Sequence, residues 1–158
     1  MTKRLKLAIQ RKGRLGAIIP KFLEKAGLDF EIQERQLIFS CSNFPLDLLF
    51  IRHKDVIPFV ESQQADLGIV GSDLYAETGS RLRNILDLDF AQSTLTLAVL
   101  KGSKITELKQ LKNKTIATTF PELTKKYFKK SGIPVKIITL SGSVEVAPKL
   151  EIADAIVD

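Results

Sequence analysis

The chain has 158 residues, of which 44% are hydrophobic and 27% charged, enough for one ordinary domain or two small lobes with real cores. No run of 18 apolar residues is present, so we expect no membrane span. The apolar run in the basic N-terminus is too short for the hydrophobic region of a signal peptide. The single cysteine and the single histidine, Cys41 and His53, can form neither a disulfide within the chain nor a zinc site. These features favour a cytoplasmic protein.

The excess of positive charge lies in one block of the sequence. Residues 1–100 carry 13 basic and 12 acidic side chains, whereas residues 101–136 carry ten lysines and two glutamates. Such a block is typical of solvated helix surfaces, and it can also attract anionic small molecules or nucleic acid. Because the block contains no arginine and no interleaved aromatic residues of the RNA-binding kind, we do not expect nucleic-acid binding.

Taken in chain order, strands and helices alternate. Residues 5–10 form a strand pattern, a basic turn follows, and hydrophobic residues then recur at helical spacing from Ile18 to Ala26, before the helix-ending Gly27. Pro20 either opens this helix or kinks it. The further predicted strands are 36–40, 46–52, 65–71, 90–100, 114–119, 135–140 and 153–157. The further predicted helices and helical turns are one that begins at Asp55 and those at 72–78, 105–111, 121–130 and 143–150.

This alternation predicts an α/β fold with mainly parallel sheets and flanking helices. The chain passes from a charge-balanced half into a lysine-rich half within residues 88–102. We therefore predict two α/β lobes, residues 1–92 and residues 93–158, with the crossover in that segment.

Basic residues follow two of the predicted strands, where α/β folds place their ligands. Lys12, Gly13 and Arg14 come after the first strand, and they form either a solvent-facing turn or a phosphate-binding loop. Arg52 ends a strand that otherwise consists largely of Leu, Phe and Ile, so it either pairs with a carboxylate or faces a ligand. The pattern alone does not decide between these alternatives.

Three later segments place small residues or carboxylates at strand ends or helix starts. Gly71 and Ser72 precede a helix whose first turn holds Asp73, which either interacts with the helix dipole or lines a site. Ser143 and Glu145 lie in a turn-rich segment after the strand at 135–140, and Ser143 fits a helix cap better than Glu145 does. The last predicted strand, 153–157, contains Asp154 and is followed by Asp158.

Several segments, in the same order and at similar spacing, are similar to segments of the ATP phosphoribosyltransferase family. They are KGRL at 12–15, LEKAGL at 23–28, RxxDV at 52–56 with Pro58, ADLGIVGSD at 65–73, KTIATTFPELTKKYF at 114–128, LSGSVEVAP at 140–148 and ADAIVD at 153–158. Any one of these segments is a weak signal. Together they extend from the first strand to the last residue, and the chain therefore resembles this family along its whole length.

The resemblance implies a two-lobed fold like that of type II periplasmic binding proteins, with the active site in the cleft. It implies the first reaction of histidine biosynthesis, in which N1 of the ATP adenine is joined to C1 of phosphoribosyl pyrophosphate. The products would be phosphoribosyl-ATP and pyrophosphate, with Mg²⁺ accompanying the pyrophosphate. It also implies a homo-oligomer or a hetero-oligomer with a regulatory subunit, because the family has a long form and a short form.

The resemblance further implies roles for individual residues. Arg14 and Arg52 would hold phosphates and neutralise the departing pyrophosphate, while Asp154 and Asp158 would flank the phosphoribosyl group. The implied substrate-binding positions are Lys12, Gly71, Ser72, Asp73, Ser143 and Glu145. We expect the side chains of Arg14, Arg52, Asp73, Glu145 and Asp158 to converge on one cleft.

Members of the family continue after the last strand into a Ser-Thr-Gly-rich loop that cradles the 5′-phosphate of phosphoribosyl pyrophosphate. This chain ends at Asp158, so we expect a truncated catalytic chain that binds ATP weakly and transfers little on its own. The alternative function is a two-lobed module that binds a solute or an effector without catalysis.

Overall fold

The computed structural model describes residues 3–33 and 35–158, and the chain divides into two compact units. Unit 1 comprises the described residues up to Tyr75 together with Gly79–Gln92. Unit 2 comprises Ala76–Thr78 and Ser93–Asp158. In the described residues each unit has one four-stranded sheet, so that the predicted α/β fold with mainly parallel sheets and flanking helices is confirmed.

Unit 1 is built around three parallel strands. Its elements are β1 (Leu5–Gln10), α1 (Gly13–Lys25), β2 (Ile38–Ser40), β3 (Leu46–Ile51), a 3₁₀ turn (His53–Asp55), α2 (Val56–Glu61), β4 (Leu67–Gly68) and the start of α3 (Ser72–Thr78), whose last residues, Ala76–Thr78, belong to unit 2. The strand order is β2-β3-β1-β4, with β1 parallel to both β3 and β4 and β2 antiparallel to β3. The three parallel strands therefore end at the same edge of the sheet.

The faces of the unit 1 sheet are covered by α1 and by α2. Buried Ile19 and Leu23 of α1 pack on one face, and buried Val56 of α2 packs on the other against Ala8. Gly68 lets α2 approach closely, because a Cβ atom at this position would lie 2.8 Å from Cγ1 of Val56. The glycine in the sequence ADLGIVG thus has a packing role.

Unit 2 repeats this arrangement with a shorter set of elements. They are β5 (Leu97–Ala98), a 3₁₀ turn (Leu108–Leu111), β6 (Thr115–Thr118), α4 (Pro121–Lys130), β7 (Lys136–Thr139), a 3₁₀ turn (Val144–Val146) and β8 (Ala155–Val157). The strand order is β5-β8-β6-β7, with β8, β6 and β7 parallel and β5 antiparallel to β8. Fully buried Phe128 of α4 packs with Ile116 and Val157 in the core.

Several predicted elements differ from the structure in length. The strand predicted at 90–100 is wrong apart from Leu97–Ala98, because the positive φ angles of Asp89 and Ala91 are incompatible with strand structure around its start. The strand predicted at 65–71 is reduced to two residues. The turns predicted at 105–111 and 143–150 are 3₁₀ and shorter. Pro20 lies inside α1, so it does not open that helix.

None of the helices in the described residues is both long enough and apolar enough to cross a membrane.

Candidate functional site

The carboxyl edge of the unit 1 sheet carries a group of cations. The backbone N–H of Arg11 donates to the carbonyl oxygen of Ile51 at 2.9 Å, so the turn after β1 lies directly beside Arg52 after β3. Lys12, Arg14 and Arg52 are all exposed. Arg11 adds another exposed positive charge at this edge. The sequence alone did not indicate its place in the group, which follows from the pairing of β1 with β3.

Helix α1 begins within this group. Its N-cap residue is Lys12, the side chain of Lys12 provides no cap, and the first turn contains no acidic residue. The side-chain amide of Gln10 donates to the carbonyl oxygen of Lys12, and Gly13 has a φ of +85°, a conformation suited to glycine. The backbone N–H groups of the first helical turn, the positive end of the helix dipole and several cations therefore occur together, an arrangement suited to an anion.

The third parallel strand of unit 1, β4, leads to the start of α3. Gly71 is the N-cap of this helix, and the Asp73 carboxylate folds back over it and accepts a 2.7 Å hydrogen bond from the Leu74 N–H. A side chain at Gly71 would collide with that carboxylate. The structure therefore gives Asp73 a local role at the helix start, and a contact of Gly71, Ser72 or Asp73 with substrate stays a prediction.

The carboxyl edge of the unit 2 sheet carries carboxylates and small polar residues. Asp158 follows β8, and its backbone exchanges hydrogen bonds of 2.8 and 3.2 Å with Thr96 while its side chain is exposed. After β7 the chain turns through Ser143, which has a φ of +52°, and Glu145 lies exposed in the following 3₁₀ turn. The neighbouring Val144 is buried and anchors this turn.

Asp154 does not join these side chains, because it lies before β8 at the opposite edge of the sheet. Its carboxylate accepts hydrogen bonds from the Thr115 N–H at 2.8 Å and from Nζ of Lys114 at 2.9 Å. These two bonds hold the pKa of Asp154 below its ordinary value of 3.8, against the opposing effect of burial. We therefore assign Asp154 a structural role in joining β8 to β6.

The substitution Asp154→Asn is expected to lower the free energy of unfolding at pH 7 by about 1 kcal/mol, because hydrogen bonds to a charged group are lost at a partly exposed site. The folded-state pKa lies below the unfolded one. This contribution is therefore present above about pH 4 and disappears as the pH falls through the folded-state pKa. In urea denaturation, the free energy of unfolding of Asp154→Asn should therefore lie clearly below that of wild type at pH 7. At pH 3 the difference should be small.

The control for that prediction is Glu151→Gln, which changes an exposed carboxylate for which the described residues provide no hydrogen bond or ion pair. It should unfold like wild type at both pH values. A loss of stability in Asp154→Asn that is equal at pH 3 and pH 7 would contradict the assigned role of the charge.

Ion pairs are distributed unequally between the two edges of each sheet. Among residues 3–33 and 35–158, four ion pairs lie within 4.0 Å, and three of them lie at the amino ends of parallel strands. These three join Lys3 to Asp66, Arg4 to Asp47, and Lys114 to Asp154. The fourth joins Lys125 to Glu122 on the surface of α4. None of these four ion pairs involves Lys12, Arg14 or Arg52 at the carboxyl edge of unit 1.

Asp47 shows that charged side chains at the amino edge of the unit 1 sheet are paired with other residues of the fold. Burial raises the pKa of its carboxyl group, but hydrogen bonds from Ser40 and Arg4, with the charges of Arg4 and Lys6, hold that pKa below its ordinary value. The same Arg4 also donates to the carbonyl oxygens of Cys41 and Leu46. The side chain of Arg4 therefore stabilises the fold through these contacts. Arg14 and Arg52, by contrast, form none of the ion pairs of the described residues.

Two further residues shape the site and were not identified from the sequence. A Cβ atom on Gly16 would lie 2.8 Å from the carbonyl carbon and oxygen of Arg11, so glycine allows α1 to start close against the basic turn. Glu77 accepts hydrogen bonds from the start of α4, 45 residues away. The sequence signal for Gly16 is a glycine two residues after Arg14. No local sequence pattern indicates the role of Glu77.

In the part of the chain that the structure describes, no three His, Cys, Asp or Glu side chains are grouped so as to hold a metal ion. The prediction that side chains of both units converge on one cleft stays a prediction. Within unit 1 the structure places Lys12, Arg14 and Arg52 at the carboxyl edge of the sheet, and within unit 2 it places Asp158 and Glu145 at the carboxyl edge of the other sheet.

Parallel sheets that present charged side chains at their carboxyl ends are typical of α/β proteins that bind small charged ligands. The fold itself is shared with a cysteine-binding protein from Campylobacter jejuni, whose solved structure matches 98% of this chain and 63% of its own with a TM-score of 0.52. At 16% identity this similarity concerns the fold alone.

The family model of ATP phosphoribosyltransferase, HisG, matches residues 52–158. ATP phosphoribosyltransferases of Methanosarcina barkeri and Maricaulis maris are 38% and 41% identical to this chain over 98% and 100% of its residues. The chain belongs to the ATP phosphoribosyltransferase family, which confirms the resemblance. It spans about half the length of the curated relatives it matches, 54% and 56% for these two.

A solved structure from Thermotoga maritima, the ATP phosphoribosyl transferase (HisG:HisZ) complex, contains a similar chain. It matches 98% of this chain and 73% of its own at 34% identity, with a TM-score of 0.75.

Proposed function

We propose that this protein catalyses the ATP phosphoribosyltransferase reaction, joining N1 of the ATP adenine to C1 of phosphoribosyl pyrophosphate in the first step of histidine biosynthesis. The products are phosphoribosyl-ATP and pyrophosphate. Family membership supports the reaction, and the observation that carries the proposal is the group of exposed cations Lys12, Arg14 and Arg52 at one sheet edge, none of which forms an ion pair within residues 3–33 and 35–158. Both substrates are polyphosphates, and cations without ion-pair partners at a helix start suit such ligands.

In this proposal the arginines carry most of the phosphate contact. Guanidinium groups form two parallel hydrogen bonds to a phosphate, and they can neutralise the charge that develops on the departing pyrophosphate. Lys12 adds a point charge beside the N–H groups of the first turn of α1. Mg²⁺ enters as part of the substrate, bound to the pyrophosphate oxygens, which agrees with its role as a phosphate counter-ion elsewhere.

The carboxylates of unit 2 act on the ribose. Asp158 and Glu145 are exposed and have no hydrogen-bond or ion-pair partner among the described side chains. A carboxylate can accept hydrogen bonds from ribose hydroxyls and stabilise the positive charge that forms at C1 as pyrophosphate leaves. Ser143 orients the turn that carries Glu145, whereas Asp154 is left out of the chemistry.

The partner and the compartment belong to the same proposal. The Thermotoga maritima protein forms a HisG:HisZ complex, and we extend this to a hetero-oligomer with a regulatory subunit or to a homo-oligomer for the present protein. A cytoplasmic location follows from the biosynthetic reaction and from the lone cysteine.

The test is a pyrophosphate-release assay with ATP, phosphoribosyl pyrophosphate and Mg²⁺, accompanied by isothermal titration calorimetry with each substrate. Little release is expected from residues 1–158 alone, whereas a chain extended through the Ser-Thr-Gly-rich loop of the family should release one pyrophosphate per phosphoribosyl-ATP formed. Binding of a free amino acid with no release by that extended chain would support the solute-binding alternative and reject the transferase.

A further inference from the structure

The carboxylate of Glu77 caps a helix that lies far away in the sequence. Its Oε1 accepts a 2.8 Å hydrogen bond from the N–H of Glu122, and its Oε2 accepts a 2.9 Å hydrogen bond from the N–H of Leu123. These are the second and third residues of α4, whose own N-cap residue, Phe120, provides no side-chain cap. The contact gives a physical reason why the last turn of α3 groups with unit 2.

With this cap, every backbone N–H from Phe120 to Thr124 has a partner. The hydroxyl of buried Thr118 accepts the Phe120 N–H at 2.9 Å, Pro121 has no N–H, and the Thr124 N–H and hydroxyl both donate to the Phe120 carbonyl oxygen, at 3.0 and 2.7 Å. The connection from β6 to α4, residues 118–124, is therefore held by hydrogen bonds to its own residues Thr118 and Phe120 and by hydrogen bonds to Glu77 of α3. We call it the β6–α4 junction.

The junction lies between the two segments that carry the carboxylates of unit 2. The N–H of Leu140, at the start of the turn toward Glu145, donates to the Thr118 carbonyl oxygen at 2.9 Å. On the other side Thr118 is aligned with Val157, directly before Asp158. Because β6 is flanked by β8 and β7, movement of the junction would shift both segments.

We infer that Glu77 is a positioning residue: by capping α4 it fixes the β6–α4 junction, and through it the placement of Asp158 and of the turn that leads to Glu145. The consequence for catalysis rests on the proposed function, while the placement itself is a property of unit 2. Glu77 touches no reacting atom in this inference. It acts through the backbone of the strands on which the carboxylates are mounted.

Unit 2 offers a matched control for the loss of a cap. Gln110 lies in the 3₁₀ turn Leu108–Leu111, and its side-chain oxygen Oε1 accepts hydrogen bonds from the N–H of Thr106 at 2.7 Å and from the N–H of the N-cap residue Glu107 at 2.9 Å. That turn precedes β6, so it lies toward the amino end of the strand. Loss of either cap should lower the Tm by about 3–6 °C, but only the loss of Glu77 should disturb the carboxyl edge.

The experiment compares Glu77→Ala, Glu77→Gln and Gln110→Ala by thermal unfolding, amide hydrogen exchange and steady-state kinetics. In Glu77→Ala we expect exchange at Glu122 and Leu123 to accelerate at least about tenfold, since both N–H groups lose their acceptor. We also expect backbone chemical-shift changes at Leu140 and Asp158 and a kcat about tenfold or more below wild type, with a smaller change in KM. Glu77→Gln keeps an acceptor oxygen and should recover part of each effect.

Two results separate the positioning role from simple stabilisation. If Glu77→Ala lowers the Tm as much as Gln110→Ala does but leaves the Leu140 and Asp158 amides and kcat unchanged, the inference is overturned. If the wild-type chain extended through the Ser-Thr-Gly-rich loop of the family releases no pyrophosphate, the transferase proposal fails. The exchange and chemical-shift data then still decide whether Glu77 places the carboxyl edge.

Discussion

Replacing both Arg14 and Arg52 by alanine is expected to lower kcat/KM for phosphoribosyl pyrophosphate by on the order of 10³. A hydrogen bond to a charged group contributes roughly 1.5–3 kcal/mol, and about 1.4 kcal/mol corresponds to a factor of ten. Two lost arginine contacts therefore correspond to roughly 10²–10⁴, and the middle of that range is the expected value. The measurement is initial-rate pyrophosphate release at fixed Mg²⁺ and ATP.

The fold should tolerate this double substitution. Both side chains are exposed and neither forms one of the ion pairs of the described residues, so the free energy of unfolding should change by less than about 0.5 kcal/mol per site. A pure effect of net charge is tested by Arg35→Ala with Arg83→Ala, which removes the same charge at exposed positions away from the strand ends. If the two double variants lose activity equally, the carboxyl edge of unit 1 is not the phosphate site.

Local sequence signals predicted the first and last residues of some elements correctly. α4 matches its predicted bounds, Pro121–Lys130, because proline at the first helical position and glycine beyond the last are strong local signals. β1 matches for a similar reason, since a basic turn with Gly13 ends its alternating pattern. The long strand predicted before residue 100 was wrong, because a left-handed φ at Asp89 or Ala91 has no signature when the residue is not glycine.

The candidate site was only partly predictable for a related physical reason. That Lys12, Arg14 and Arg52 follow parallel strands could be inferred from the order of elements, and the pairing of β1 with β3 then brings them to one edge. Asp154 shows the limit of this argument. The sequence pattern placed Asp154 within the last strand, whereas in the structure it lies before β8 and forms an ion pair with Lys114. Glu77 shows another limit, since a cap from 45 residues away is a tertiary contact.

Gly16→Ala separates two opposing effects within α1. Helix propensity alone predicts a gain in stability of about 1 kcal/mol, because alanine is favoured over glycine in a helix interior. The added Cβ atom, however, would lie 2.8 Å from the carbonyl carbon and oxygen of Arg11 and 3.1 Å from the carbonyl oxygen of Gln10. These are backbone atoms, which cannot move aside as the end of a flexible side chain can.

We expect the steric effect to be the larger one. Forcing an extra methyl group against packed atoms costs about 1–3 kcal/mol, so Gly16→Ala should be less stable than wild type despite its better helix propensity. Relief of the clash would displace the turn that carries Lys12 and Arg14, and a shift of this kind should weaken phosphoribosyl pyrophosphate binding about tenfold. Differential scanning fluorimetry and isothermal titration calorimetry measure the two effects. Gly142→Ala, where no atom lies within 4 Å of the added group, should leave the Tm unchanged. A rise in the Tm of Gly16→Ala with unchanged affinity would mean that the turn relaxes freely, and that the close start of α1 does not hold the phosphate-binding residues in place.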